Sequence, residues 1–135
     1  MHNIHDADEN YLEALVVLGR ELGEVRSIDI ANHLSLSRAS VSNAIKKLER
    51  EGRVRMEPDG TLVLTESGAE IGEQIDLRHH FLNRFFQSIG VSAQQADDDA
   101  CKAEHAISQE TFDRLREAFP DGMVNTNAPD QREEI

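Results

Sequence analysis

The chain has 135 residues, of which 26 are acidic and 14 basic, giving a formal net charge of −12; 39% are hydrophobic and 30% charged. These proportions fit a soluble folded protein of one compact unit or two small subdomains and exclude a disordered chain. No apolar run reaches the roughly 20 residues of a membrane span, the single Cys101 excludes an intrachain disulfide framework, and the start MHNIHDADEN has neither the basic nor the apolar stretch of a signal peptide, so a cytoplasmic protein is expected.

The first predicted element is an amphipathic helix over 11–22, with Leu12, Leu15, Val16 and Leu22 near helical spacing, Asp8 as its N-cap and Gly23 as its stop. A short helix follows over 28–34 in SIDIANHL. The next, in SLSRASVSNAIKKLEREG, places Val41, Ile45 and Leu48 at i, i+4, i+7; Ser37 or Ser35 caps it and Gly52 ends it. The period then changes to two. RVRMEPDGTLVLT alternates around a Pro58-Asp59-Gly60 turn, with Val54 and Met56 before it and Leu62 and Leu64 after, which reads as a β-hairpin.

A long helix is expected over 66–89, carrying Ile71, Ile75, Leu82, Phe85 and Phe86 and ending at Gly90. Ser92 starts a helix to about 106. Ser108, in a capping box SQET, starts another to 119. The expected class is mainly α with a small β element (α+β): an N-terminal winged helix-turn-helix over 1–70, an all-helical dimerisation and metal-binding domain over 71–120, and a polar, disordered tail over 121–135.

Charge is spread unevenly over these elements. Residues 20–56 hold eight Lys/Arg against five Asp/Glu, a local +3, and the rest of the chain carries −15. A basic island in an acidic protein suits a DNA reader joined to a separate cation site. In a helix-turn-helix the leading residues of the second helix enter the major groove. Here they are Ser37, Arg38, Ala39, Ser40, Ser42 and Asn43, which are small or hydrogen-bonding and permit close approach to base edges. Lys46 and Lys47 one turn on, with Arg53 and Arg55 at the base of the wing, suit phosphate contact. The acidic wing tip, Glu57 to Gly60, argues against deep insertion into a minor groove.

The segment DDDACKAEHAIS places Cys101, Glu104 and His105 at i, i+3, i+4 on one helix face, with Asp97 one turn earlier. Thiolate, carboxylate and imidazole together accept a borderline divalent cation. On other predicted helices His79 pairs with Asn83, and Asn10 with Glu13. Taken alone, Cys101 reads equally as a packing residue, a reactive thiol or a ligand. A Cys101–His105 thiol–imidazole pair for catalysis lacks any evident oxyanion site or substrate pocket, so no enzyme is expected.

These features in this order resemble the iron- and manganese-dependent repressors of the diphtheria toxin repressor and manganese transport regulator type. The resemblance lies in ENYLEAL, SIDIANHLSLSRASVSNAIKKLEREG, LVLTESGAEIG, RHHFLNRFFQSIGV and DACKAEHAIS, and covers about 8–119. It implies a principal metal site on Asn10, Cys101, Glu104 and His105. A second position would draw on His79 and Glu13, with Asn83 and Asp97 aligned to further ligands. Asn10 stands where relatives have Asp or Met and Asn83 where a carboxylate is common, and the SH3-like third domain of longer members is not expected; His2 and His5 are weaker candidates for what it would supply.

The resemblance further implies a homodimeric repressor of metal homeostasis that binds a palindromic double-stranded operator when Fe(II), or less favourably Mn(II), is bound. Zn(II), Co(II) or Ni(II) would also bind in vitro. Neither an organic cofactor nor a membrane is expected as a partner; the alternative is a winged-helix regulator answering to another effector without metal. Without a cation, Glu13, Asp97, Cys101 and Glu104 would repel one another, and neutralising them would fix the recognition helices about 34–36 Å apart, one DNA turn. Phe85, Phe86, Ile89 and Phe112 exceed what one small helical layer buries, so some are expected at the dimer interface.

Overall fold

Among the residues described by the computed structural model, 6–122, the order is α1 Asp6–Leu22, α2 Ser27–Leu34, α3 Arg38–Arg50, β1 Val54–Met56, β2 Leu62–Leu64, α4 Glu66–Ser88, α5 Ala93–Ala106 and α6 Gln109–Ala118. The expected roles of His2 and His5, and nearly all of the polar tail, lie outside these residues. The chain divides into two compact units, up to Asp76 and from Leu77 onward, so the division falls inside α4, beyond the expected one at 70/71.

In the first unit, the helix-turn-helix and hairpin share one core. Leu12, Leu15, Leu18, Val25, Ile30, Val41, Ile45, Leu48, Val54 and Leu62 are buried together. These are the positions that the 3.6- and 2-residue periods select, and burying each Leu or Ile stabilises by about 1.5–3 kcal/mol. Ser37 caps α3, its Oγ accepting from the Ser40 amide at 3.1 Å. The turn before it rests on Ser35, a non-glycine residue at φ 56. The wing pairs Val54 with Leu64 and Met56 with Leu62, and Leu62 also bridges to Val25, which joins the wing to the start of α2.

Two glycines let α4 run close to its neighbours. A Cβ on Gly72 would lie 2.6 Å from the Leu12 carbonyl oxygen, and one on Gly68 would strike that of Arg53. Helix α1 begins at Asp6, two residues before its expected cap, so Asp8 is a helical residue; the acidic first turn, Asp6, Asp8 and Glu9, complements the positive helix end.

In the second unit, Phe81, Leu82, Ala100 and Phe112 form the buried centre, flanked by Phe85, Phe86, Ala103, Ile107, Leu115 and Phe119. Phe112 is fully buried and meets Phe81 edge to face at 5.5 Å, so it belongs to the core of its own unit and is not available to an interface. Ile89, by contrast, is 56% exposed. The capping box expected at Ser108 is only half built. Its Oγ accepts from the Thr111 amide at 3.1 Å, but Thr111 occupies the place where a Glu or Gln would reach back.

Buried Arg78 closes the end of α5. It donates to the carbonyls of Glu104 at 3.1 Å and Ile107 at 2.7 Å and to Gln109 Oε1 at 3.0 Å, and lies over the Phe112 ring. The final carbonyls of a helix lack intrahelical partners, and a guanidinium there satisfies them while offsetting the negative helix end.

Candidate metal centre

In the second unit, α4 presents His79 to a face of α5 made by Asp97, Cys101 and Glu104, spaced i, i+4, i+7. His79 Nδ1 lies 2.8 Å from Glu104 Oε1, and Nε2 lies 2.9 Å from Asp97 Oδ1. The Cys101 sulfur stands 3.8 Å from Nδ1. Donor atoms of His79, Asp97 and Cys101 all fall within 4.8 Å of one another.

Glu104 is the buried member, its side chain 1% exposed. Its Oε2 accepts no hydrogen bond and stands 3.4 Å from His105 Nε2, whose ring is itself 6% exposed. Removing a carboxylate from water is costly unless positive charge or donors compensate. A buried carboxylate with an unsatisfied oxygen, two imidazoles, a thiol and a second carboxylate matches the donors a borderline divalent cation takes. The residues fit such an ion.

The structure brings together residues expected at two different metal positions. His79, assigned to the second, touches Glu104 and approaches Cys101, both assigned to the first. Asn83 accepts from Gln87 Nε2 at 2.6 Å along a surface cleft shared with His80 and Arg84. Cys101 is exposed, which removes the packing reading of this thiol. In the first unit, on α1, Asn10 is exposed and Glu13 half-buried, whereas Asp8 and Glu9 are buried, acidic residues that the sequence reading took only as a helix start.

The DNA-facing candidates also separate. Arg38, Ala39, Ser40, Asn43 and Lys46 are exposed and Ser42 half-buried. Ser37 is committed to capping α3. Lys47 donates to Asp8 Oδ2 at 2.7 Å, and this hydrogen bond raises its pKa. Arg55 donates to Glu57 at 3.0 Å, and Arg53 is half-buried beneath the wing. Of the basic residues expected to meet phosphate, Lys46 is exposed and Lys47 and Arg55 are already paired.

Residues 4–62 match the family model described as the iron dependent repressor N-terminal DNA binding domain, and residues 65–121 match that of the iron dependent repressor metal binding and dimerisation domain. The chain belongs to the iron-dependent repressor family. It is 34% identical over 108 residues to the transcriptional regulator MntR of Escherichia coli O6:H1, an alignment covering 80% of this chain and 70% of that protein. The manganese regulator SloR is similar in structure, with TM-score 0.74 and 24% identity over 84% of this chain and 53% of that one. So is IdeR of T. acidophilum, with TM-score 0.73 and 24% identity over 89% of this chain and 56% of that one. These structural likenesses establish the fold, and the chain spans little more than half the length of either structure. The two matched segments meet between residues 62 and 65, just before α4 and about a dozen residues before the division into compact units. Among the described residues no helix is long and apolar enough to cross a membrane.

Proposed function

We propose that this chain is a metal-responsive transcriptional repressor that binds a palindromic operator as a homodimer when Fe(II), in preference to Mn(II), is held by Cys101, Glu104, His105, His79 and Asp97. Asn10 and Glu13 are the ligands that the family resemblance adds from α1. The observation that carries this reading is the buried Glu104 carboxylate, with His79 on one oxygen and His105 beside the other. MntR and SloR are named as regulators, SloR as a manganese regulator, which supports a transition-metal effector.

The bound cation supplies positive charge that Glu13, Asp97, Cys101 and Glu104 lack among themselves. His79 prepares the place: one ring nitrogen can serve as ligand while the other stays hydrogen-bonded to a carboxylate that fixes its orientation. The soft Cys101 sulfur favours Fe(II) over Mn(II), which prefers oxygen, and the neutral amide of Asn10 weakens the oxygen set further. Exposed Leu77 on α4 and Ile89 just beyond its end supply apolar surface for a dimer partner. Coupling between metal and operator of about 5- to 150-fold is typical of two linked sites.

The test is anaerobic titration of Fe(II) and Mn(II) against operator affinity, with Cys101→Ala and His79→Ala in parallel. Both metals should raise wild-type affinity, Fe(II) at lower concentration, and both variants should lose the gain. Affinity indifferent to both metals would overturn the reading.

A further inference from the structure

Within the first unit, a polar contact links the helix that carries Asn10 and Glu13 to the helix that carries the DNA-reading residues. Asp8 lies in the opening turns of α1, and its side chain is 8% exposed; Lys47 lies in the last turns of α3, 39% exposed, and the two meet at 2.7 Å. The same helices share apolar packing through Leu12, Leu15, Val41 and Ile45. Apolar surfaces hold helices together but are non-directional. A charge-assisted hydrogen bond fixes their register. Because the Asp8 carboxylate is out of water, losing Lys47 would leave it unpaired, which is costly. A shift of the opening turns of α1 that breaks this contact therefore carries a cost, so the contact favours movement of Lys47, and with it α3, along with α1.

We propose that Asp8 and Lys47 form a strut that passes the position of α1 to the recognition helix, so that a cation's hold on α1 is felt as operator affinity. Lys47 is thus a positioning residue rather than a phosphate contact. The strut rests on the reading that Asn10 and Glu13 help to hold the cation. It adds a route confined to the DNA-binding unit, running two residues upstream of Asn10 and along α3 to Arg38, Ala39 and Asn43.

The experiment measures operator affinity with and without Mn(II) for the wild type, Asp8→Asn, Lys47→Met, the double variant and Asp8→Glu. The strut requires each of the two single variants to lose about three- to five-fold of the wild-type metal gain, the scale of a partly exposed ion pair. The double variant should lose no more than either, since both ends belong to one contact, and Asp8→Glu, which keeps the charge, should retain most of the gain. Hydrogen exchange on the DNA-free protein gives a second readout: Mn(II) should slow exchange in both α1 and α3 of the wild type, but in α1 alone of Asp8→Asn. Were Lys47 a phosphate contact held off DNA by Asp8, Asp8→Asn would raise affinity equally with and without metal, and the strut would be wrong. An unchanged metal gain in either single variant, or additive losses, would also overturn it. A wild type whose affinity ignores Mn(II) and Fe(II) would remove the proposed function itself, a failure visible before any variant is compared.

Discussion

His79 Nδ1 lies 2.8 Å from Glu104 Oε1, joining an imidazole of α4 to a carboxylate that is almost wholly removed from water. A buried acceptor that loses its donor costs about 1–3 kcal/mol. His79→Ala should therefore destabilise the metal-free protein by about that amount, in addition to weakening metal binding, while His79→Gln, which keeps a donor, should recover part of the stability. Urea unfolding in the presence of chelator checks this; a midpoint unchanged in His79→Ala would show that the contact contributes nothing.

Replacing the thiol should change the preferred metal. With Cys101→Asp the soft donor becomes a hard oxygen, and the concentration of Mn(II) needed for half-maximal operator binding should fall relative to that of Fe(II). Co(II) titration offers a direct spectroscopic check: the thiolate-to-metal absorption expected of the wild type should vanish in Cys101→Asp.

The two neighbouring lysines should behave differently on DNA. Lys46 is exposed, so Lys46→Ala should weaken binding to all sequences and reduce the slope of log K against log salt by about 1. The Lys47 ammonium is engaged by Asp8, and Lys47→Met should leave that slope nearly as in the wild type. Equal slope changes in both variants would contradict this division.

Phe112 is the fully buried centre of the second unit, edge-on to Phe81 and flanked by the guanidinium groups of Arg78 and Arg116. Phe112→Ala should cost about 3–5 kcal/mol. Because the loss falls in the unit from Leu77 onward, hydrogen exchange should rise in α5 and α6 before it rises in α2 and α3.

Acid should loosen the wing before the core. The Thr61 backbone amide, which donates to Asp59 Oδ1 at 3.0 Å, lowers the Asp59 pKa below 3.8, with the Arg26 charge adding to the effect. A depressed folded-state value contributes stability that is present above the unfolded pKa and lost as pH falls through the folded one. Carbon NMR of the Asp59 carboxyl should give a midpoint below 3.8, and Asp59→Asn should remove that part of the acid sensitivity. A midpoint at or above the ordinary value would refute the Thr61 contact.

Much of this molecule was legible because its signals are local. Ser37, Ser92 and Ser108 sit where helices begin, Pro58-Asp59-Gly60 where a hairpin turns, and Cys101, Glu104 and His105 at spacings that one helix resolves into a face. The errors were local readings that a distant partner overruled. Asp8 resembles a cap because short polar residues favour caps, but α1 begins at Asp6, so Asp8 is a helical residue whose carboxylate meets Lys47, 39 positions away. Phe112 looked surplus to one helical layer, yet the packing of α6 on Phe81 buries it.

By itself, the sequence determined the elements, the winged helix, the basic reading face and the donor types, since these depend on period, turn chemistry and charge along the chain. Tertiary structure alone decided that His79 joins Glu104 and Asp97 in one cluster and that Arg78 closes α5. It also committed Lys47 to Asp8 rather than leaving it free for phosphate. The physical reason is the same in each case: a side chain's partner is set by what folding brings within about 3 Å of it, and a carboxylate taken out of water accepts whichever cation or donor that packing supplies.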